Sequence, residues 1–375
     1  MRSSHLQRTG YLKNATVLLL TAAFLFGWVA SSPLPVVAET TAHADPAAIL
    51  LEGLTDCREA IDLSGASLPV SELGRVYLTI LHSHPELFHV APRLSYSYTE
   101  RDGTRTVAEV YPAYTITGNT LTVARAFYRD TLTAILTEME MTFGDSPRTE
   151  ADTVLYLHDC LADRYAYDTR AESPNADAPS AANADAYTFL RDGVGICQAY
   201  ALTFLALCRG AGLEAELVVS DAMDHAWNHV RVEGEWYHVD VTRDDPIPAA
   251  EGTDEVNHLR ILRSDGGMEA LGYHGFSCAA GHTCTDTRFE TVEEGTGWGI
   301  FSQKLVFSGG KWLGMDDSGA VVAVKLEKSG VFVGQVGDTD LDGGVDPADL
   351  LCLYDPNLPE GWREWVRRRF VDGGG

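Results

Sequence analysis

Cys197, His225 and Asp240 are the residues of this chain whose types and spacing could do covalent chemistry. A thiolate can attack an electrophilic carbon, an imidazole can take and return its proton, and a carboxylate can orient the imidazole. Cys197 stands in Gly193-Val194-Gly195-Ile196-Cys197-Gln198-Ala199-Tyr200-Ala201, ahead of a run to Arg209 with helical composition and period that closes at Gly210 and Gly212. The spacing therefore puts Cys197 at or just before a helix N-terminus, where free amides and the helix dipole favour the reactive thiolate. Gly193 and Gly195 let the chain turn tightly into that position and leave room for a substrate backbone.

The other two residues need strands. Leu217 to Ser220 is a short β run, and His225 to Val232 with Glu235 to Val241 flank Glu233-Gly234, which predicts a hairpin. With the turn centred between those two residues, Trp227 faces Asp240 and His225 faces Thr242. His225 and Asp240 are then diagonal neighbours on one face, with Cβ atoms ~7 Å apart. The same parity makes His229 a diagonal neighbour of Asp240, so spacing leaves both histidines open as the base. His158-Asp159 lies inside an amphipathic segment, Thr149 to Tyr167. Adjacent residues of a helix point in different directions, so this pair reads as packing or capping. Residues 171 to 186, rich in Ala, Asn, Pro, Ser and Asp, read as an exposed loop leading into the site. Residues 45 to 145 carry helical patterns at Ser71 to His82 and Leu121 to Met141 and strand patterns at Leu94 to Tyr98 and Ala108 to Thr117. They read as a supporting α+β subdomain without chemistry of its own.

The nucleophile segment, the stretch His225-Ala226-Trp227-Asn228, and Gly234, Trp236-Tyr237 and His238-Val239-Asp240-Val241-Thr242 resemble the transglutaminase-like superfamily in its exported bacterial branch. His84-Pro85-Glu86-Leu87-Phe88 and Leu157-His158-Asp159 are similar to companion segments of those proteins. The resemblance implies an α+β fold whose papain-like core, a Cys-bearing helix packed on an antiparallel sheet, occupies residues 146–295. It implies Cys197 as nucleophile, His225 rather than His229 as base, and Asp240 as orienter. It implies a protein or peptide substrate whose amide group is cleaved or transferred through a Cys thioester, with no cofactor for catalysis. The chain departs from the family pattern at Arg243, where bacterial relatives often carry tryptophan, and in lacking a glutamine ahead of Cys197. Gln198 and Tyr187 stand in as candidate oxyanion donors, with Trp227 as a substrate-side residue. The competing reading is a catalytically silent binding module that uses the same cleft.

Residues 1–38 hold Arg2, Arg8 and Lys13, no acid, an apolar run from Ala15 to Ala30, and Val36-Val37-Ala38. That is the layout of a secretory signal peptide, and the run of about 16 residues is shorter than the ~20 of a spanning helix. The expectation is a secreted, extracellular protein with no membrane span after cleavage. Loss of those three basic residues takes the formal charge from −26 to −29, which argues against nucleic acid as a partner. Seven cysteines in an exported chain leave at least one unpaired or paired with another molecule. Cys278 and Cys284 are spaced for a bridge around a short loop, and with His274 and His282 nearby for a zinc site, though in no familiar ligand pattern.

Residues 296–334 read as a small β segment with strands at Lys304 to Phe307 and Ala320 to Leu326. In residues 335–375, Asp338, Asp340, Asp342, Asp346 and Asp349 occupy positions 1, 3, 5, 9 and 12 of a calcium loop, with Gly343 at position 6 and Gly344 supplying the position-7 carbonyl. The segment, with Leu350-Leu351 behind it, resembles the first half of a dockerin, a small α-helical EF-hand-like module. The resemblance implies structural Ca2+ and docking to the cohesin domain of a scaffoldin in a cellulosome, the setting of polysaccharide catabolism. Asp372-Gly373-Gly374 repeats Asp342-Gly343-Gly344, and the sequence stops at Gly375, as expected of a cut-short second loop or a single-loop module. A carbohydrate-active enzyme is suggested by the tail alone, since no carboxylate pair stands out.

Overall fold

The computed structural model describes residues 44–169, 184–245, 256–290, 304–316, 319–345, 348–349 and 358–371. The leader at 1–38, most of the loop expected at 171–186, Asp346, and the repeat at Asp372 lie outside the described residues. Among the described residues no helix is long and apolar enough to cross a membrane. The chain divides into two units at Thr122/Val123.

The first unit begins with α1 (Pro46–Thr55), whose cap Asp45 accepts from the Ala47 amide at 3.0 Å. β1 (Ile61–Asp62), α2 (Val70–Ser83), β2 (Val90–Arg101) and β3 (Thr104–Tyr114) follow. The strands form an antiparallel sheet in the order β1-β3-β2, and Asp102 and Gly103, both with positive φ, make the β2–β3 turn. Leu54, Leu73, Tyr77, Val107 and Val110 are among the side chains of its core. The helical pattern predicted at Ser71 to His82 and the two strand patterns are those of α2, β2 and β3. α3 (Gly118–Phe143) runs on into the second unit.

In the second unit α4 (Glu150–Arg164) opens with a reciprocal cap, Thr149 with Asp152. β4 (Ala166–Tyr167) pairs in parallel with β5 (Val194–Gly195), and α5 (Ala186–Asp192) lies between them in sequence. Gly193 ends α5 at φ 76, a left-handed conformation that favours glycine, while Gly195 is extended in β5. α6 (Cys197–Gly210) is buried nearly all round, from Cys197 through Cys208, as befits a helix at the centre of a core. The sheet of β6 (Ala215–Ser220), β7 (His225–Val232), β8 (Glu235–Val239) and β9 (Phe276–Cys278) is antiparallel in the order β8-β7-β6-β9. One face of β7 turns to α6, where Asn228 Nδ2 donates to the Ala201 carbonyl at 3.0 Å. β8 stops two residues short of the predicted Val241 because Asp240 caps a new turn of helix, α7 (Val241–Asp244), by accepting from the Arg243 amide. α8 (Asp265–Ala270) precedes β9.

The small β segment has four strands rather than two: β10 (Val306–Ser308), β11 (Lys311–Met315), β12 (Val321–Glu327) and β13 (Gly330–Val333) in a meander. It packs on α4, since Trp312 Nε1 donates to Asp152 at 2.8 Å and the rings of Phe143, Phe307 and Trp312 form a cluster. α9 (Glu360–Val371) follows, and its Trp362 joins Leu313, Val321 and Ala323. The six cysteines among the described residues are thiols, so Cys278 and Cys284 are not bridged.

Candidate active site

The β7–β8 register pairs Asn228 with Val239 and His229 with His238, so one step further Trp227 stands opposite Asp240. His225, Trp227 and His229 thus share a face with His238 and Asp240. The two histidines part company there. His225 Nε2 lies 2.6 Å from Asp240 Oδ2, whereas His229 turns its Nδ1 to Glu216 Oε1 at 3.3 Å. Cys197 lies near enough to the His225 ring to help raise its pKa. The structure therefore joins Cys197, His225 and Asp240 in one chain of contacts.

Asp240 is fully buried and held from three further directions. Tyr273 donates its hydroxyl to Oδ2 at 2.5 Å, the Arg243 amide donates to Oδ1 at 3.2 Å, and the Asp240 amide donates to the Arg260 carbonyl at 3.0 Å. Burial alone would raise the Asp240 carboxyl, but His225, Tyr273 and the Arg243 amide together hold it below the usual carboxylate range. For His225 burial again opposes charge, and the adjoining Asp240 carboxylate and Cys197 outweigh it, raising the imidazole to about 9. Cys197 and His225 keep 9% and 8% exposure while Asp240 has none, so the reactive end of the chain faces out and the orienting end is sealed. Tyr200 on α6 hydrogen-bonds Asp245, which ties the cysteine helix to the turn that follows Asp240.

Of the three weaker candidates, Trp227 is 1% exposed, stacks on His225 at 5.5 Å and 25°, and gives its indole N–H to His238 Nδ1 at 2.8 Å. It buttresses the imidazole from behind, and its donor is already used. Tyr187 on α5 lies under the Arg191 guanidinium at 5.2 Å and edge-on to Phe127. Gln198 is half-buried at the second position of α6, and by position the Cys197 and Gln198 amides have no acceptor within the helix.

Residues that spacing did not single out hold the site together. Arg243 covers the Tyr273 ring at 4.8 Å, which sets a cation against the tyrosine that grips Asp240. Tyr273 lies 33 residues from Asp240, with no local signal that could have paired them. His158 and Asp159, expected to point apart, touch: Nδ1 is 2.8 Å from Asp159 Oδ1, and Nε2 is 3.3 Å from Asp244 Oδ2. His258 reaches the same Asp159 oxygen at 2.8 Å, and the Leu305 amide takes the other. Arg260 completes the group by pairing with Asp244 at 3.0 Å. This buried network fastens α4 to α7, the turn that Asp240 caps.

In the tail, Asp338, Asp340 and Asp342 each bring a carboxylate oxygen within 4.8 Å of the others. Gly343 has φ 92 and its amide donates to Asp338 Oδ2 at 3.1 Å, while Asp338 Oδ1 is buried with no hydrogen-bond partner. Asp349 Oδ1 accepts from the Thr339 and Asp340 amides at 2.5 and 3.1 Å, closing the loop on itself.

Cys197, His225 and Asp240 thus lie together between a helix N-terminus and an antiparallel sheet. Residues 138–241 match the family model described as transglutaminase-like superfamily, and the chain carries a domain of that superfamily. The match contains Cys197, His225 and Asp240. Solved structures similar to the chain include one described as a TGase, with 14% identity over 39% of this chain and 43% of that one and a TM-score of 0.28. A proposed cysteine protease of Cytophaga hutchinsonii has 14% identity over 41% and 63%, with a TM-score of 0.23. A proposed protease of Parabacteroides distasonis has 14% identity over 39% and 35%, with a TM-score of 0.22. The chain covers less than two thirds of each of these structures. A search of curated proteins returns no match.

Proposed function

We propose that the protein is a secreted cysteine enzyme that hydrolyses amide bonds of proteins or peptides through a Cys197 thioester. The observation that supports it most is the ordered chain from Cys197 through His225 to a sealed, multiply held Asp240. In this reading His225 already carries the proton of the pair as Cys197 Sγ attacks the amide carbonyl. The carbon–nitrogen bond breaks as His225 delivers that proton to the departing amine. Water then attacks the thioester, His225 takes a proton from it, and the thiol is restored with release of the acid. The Cys197 and Gln198 amides at the start of α6 are the donors placed to stabilise the oxyanion.

The leader at 1–38 supports export, and the residue pattern at 338–349 supports a dockerin-like module docking to a scaffoldin cohesin. Asp338, Asp340 and Asp342 suit a hard cation, and the buried unpartnered Asp338 oxygen fits such a ligand. Bound Ca2+ would supply charge neutralisation that holds the loop. Incubating the mature protein with a peptide-amide library, with and without a primary amine, tests the enzymatic reading. Products that carry water, absent with Cys197→Ala, are expected. Amine-bearing products would make it a transferase, and identical behaviour of the two proteins would leave a binding module.

A further inference from the structure

His229, the histidine that Asp240 does not take, sits 2% exposed on β7 with an unusual vacancy in its bonding. Its Nδ1 faces Glu216 Oε1 at 3.3 Å, and its Nε2 is buried with no hydrogen-bond partner. A buried imidazole nitrogen left unpaired is costly unless something binds it. One donor atom from each of His229, His238, Asp265 and Cys284 lies within 4.8 Å of the others. Asp265 and Cys284 are knitted together, since the Asp265 amide donates to the Cys284 carbonyl at 2.7 Å and the Cys284 amide to Asp265 Oδ1 at 3.1 Å. Cys284 is 1% exposed, in a segment after β9 without regular secondary structure.

We propose that His229 Nε2, the Cys284 thiolate and the Asp265 carboxylate form a Zn2+ site. Imidazole, thiolate and carboxylate together suit zinc, whereas Ca2+ and Mg2+ select oxygen alone. Glu216 on the far nitrogen of His229 makes the carboxylate–histidine–metal arrangement that fixes the ligand tautomer. His238 is a positioning residue and not a ligand. Its Nδ1 already accepts from Trp227 Nε1 at 2.8 Å, so its proton is on Nε2, which donates to Asp265 Oδ1 at 2.8 Å and aims that carboxylate. The Asp265 side chain is 30% exposed, which gives the ion an entry path and leaves its fourth position to water.

The site differs from the zinc arrangement conceivable in the sequence, Cys278 and Cys284 with His274 and His282. Cys278 instead belongs to a second group with Glu216 and His229, and His282 Nδ1 bonds Glu216 at 2.8 Å. Zinc at Cys284 would pin the segment after β9 and the start of α8 to β7. Trp227, which stacks on His225 and bonds His238, is the element common to this site and the catalytic base.

Co2+ titrated into the full mature chain, reduced and stripped of metal, tests the proposal without reference to activity. A thiolate-to-cobalt charge-transfer band saturating at one equivalent, and abolished by added Zn2+, is the expected result. The acidic loop at Asp338 has no sulfur and gives no such band. Cys284→Ser should lose the band entirely, and His229→Gln should weaken cobalt binding tenfold or more. Cys197→Ala and Cys278→Ser should keep it, with far-ultraviolet circular dichroism confirming that every variant is folded. No band in the unmodified chain, a band that persists in Cys284→Ser, or one that vanishes in Cys278→Ser overturns the proposal.

Discussion

Of the buried histidine–carboxylate groups among the described residues of the second unit, two have histidines that burial and charge treat alike. His225 beside Asp240 and His158 between Asp159 and Asp244 are each raised to about 9, with burial opposing the charge and the carboxylates outweighing it. The difference lies in what occupies the remaining valences. His158 has a carboxylate on each nitrogen, and Asp159 spends its oxygens on two histidines and a backbone amide, all within a core that solvent does not reach. His225 has a carboxylate on one side only, and Cys197 lies beside it near the surface edge. A perturbed histidine is therefore poor evidence of catalysis by itself. An imidazole with one satisfied and one reactive face is better evidence.

The comparison breaks most sharply at Cys197. Cys197→Ala should lower kcat/KM by roughly 10^4-fold or more, at least ~5 kcal/mol of barrier, with thermal stability nearly unchanged. Asp240→Asn comes next: asparagine can still cap α7, but it cannot hold His225 in the tautomer that faces Cys197. A fall of roughly 10^3- to 10^4-fold in kcat is expected without loss of fold, checked by single-turnover kinetics beside a melting curve. Asp159→Asn should act the other way round. It strands His158 and His258 in the core, so the protein should lose about 3–5 kcal/mol of stability in denaturant titration while the folded fraction keeps its turnover. Full stability in that variant, or a selective loss of turnover, would place the network in the chemistry and erase the distinction.

Much of this was legible beforehand, and the reasons are physical. Strand parity follows from a two-residue turn, and the β7–β8 register is the one that Glu233-Gly234 predicts, with φ 49 and 89 at those residues. Cys197 at the head of α6 follows from the apolar period and the glycines around it. Parity could not separate His225 from His229, because both are diagonal to Asp240. What separates them is Glu216, on the neighbouring strand β6, which claims His229. Tyr273, His258 and Arg260 were invisible for the same reason: each arrives from a segment whose place is set by packing. The strand at Lys311 to Met315 was hidden by Gly309-Gly310, which reads as one loop yet makes the tight turn of a hairpin.

Raising the pH should probe both groups at once. Each histidine titrates near 6.5 when unfolded and about 9 when folded, so its contribution is complete below pH 6.5 and is lost as the pH rises through 9. Asp159 and Asp240 are held below 3.8, so theirs is present above that pH and is lost on acidification. Stability should fall by roughly 3 kcal/mol per histidine between pH 6.5 and 9. Asp240→Asn should remove the His225 share of that slope and Asp159→Asn the greater part of the His158 share. Denaturant midpoints measured across the range decide this, and an unaltered slope in both variants would dissolve the shared electrostatic account.

The smallest expected effect falls on Tyr273, and it asks whether the sealed end at Asp240 matters beyond packing. Its hydroxyl shares Asp240 Oδ2 with the His225 imidazole, so Tyr273→Phe removes one donor while the ring beneath Arg243 and beside Trp227 stays. A hydrogen bond to a charged group contributes about 1.5–3 kcal/mol, and part of this is regained as Oδ2 turns wholly to His225, so a loss of about tenfold in kcat/KM is expected. Removing a donor also raises the Asp240 carboxyl, so the acid limb of the pH–rate profile should move to higher pH. A tyrosine that only fills space would leave that limb where it was, and rate loss without movement of the limb would reduce Tyr273 to packing.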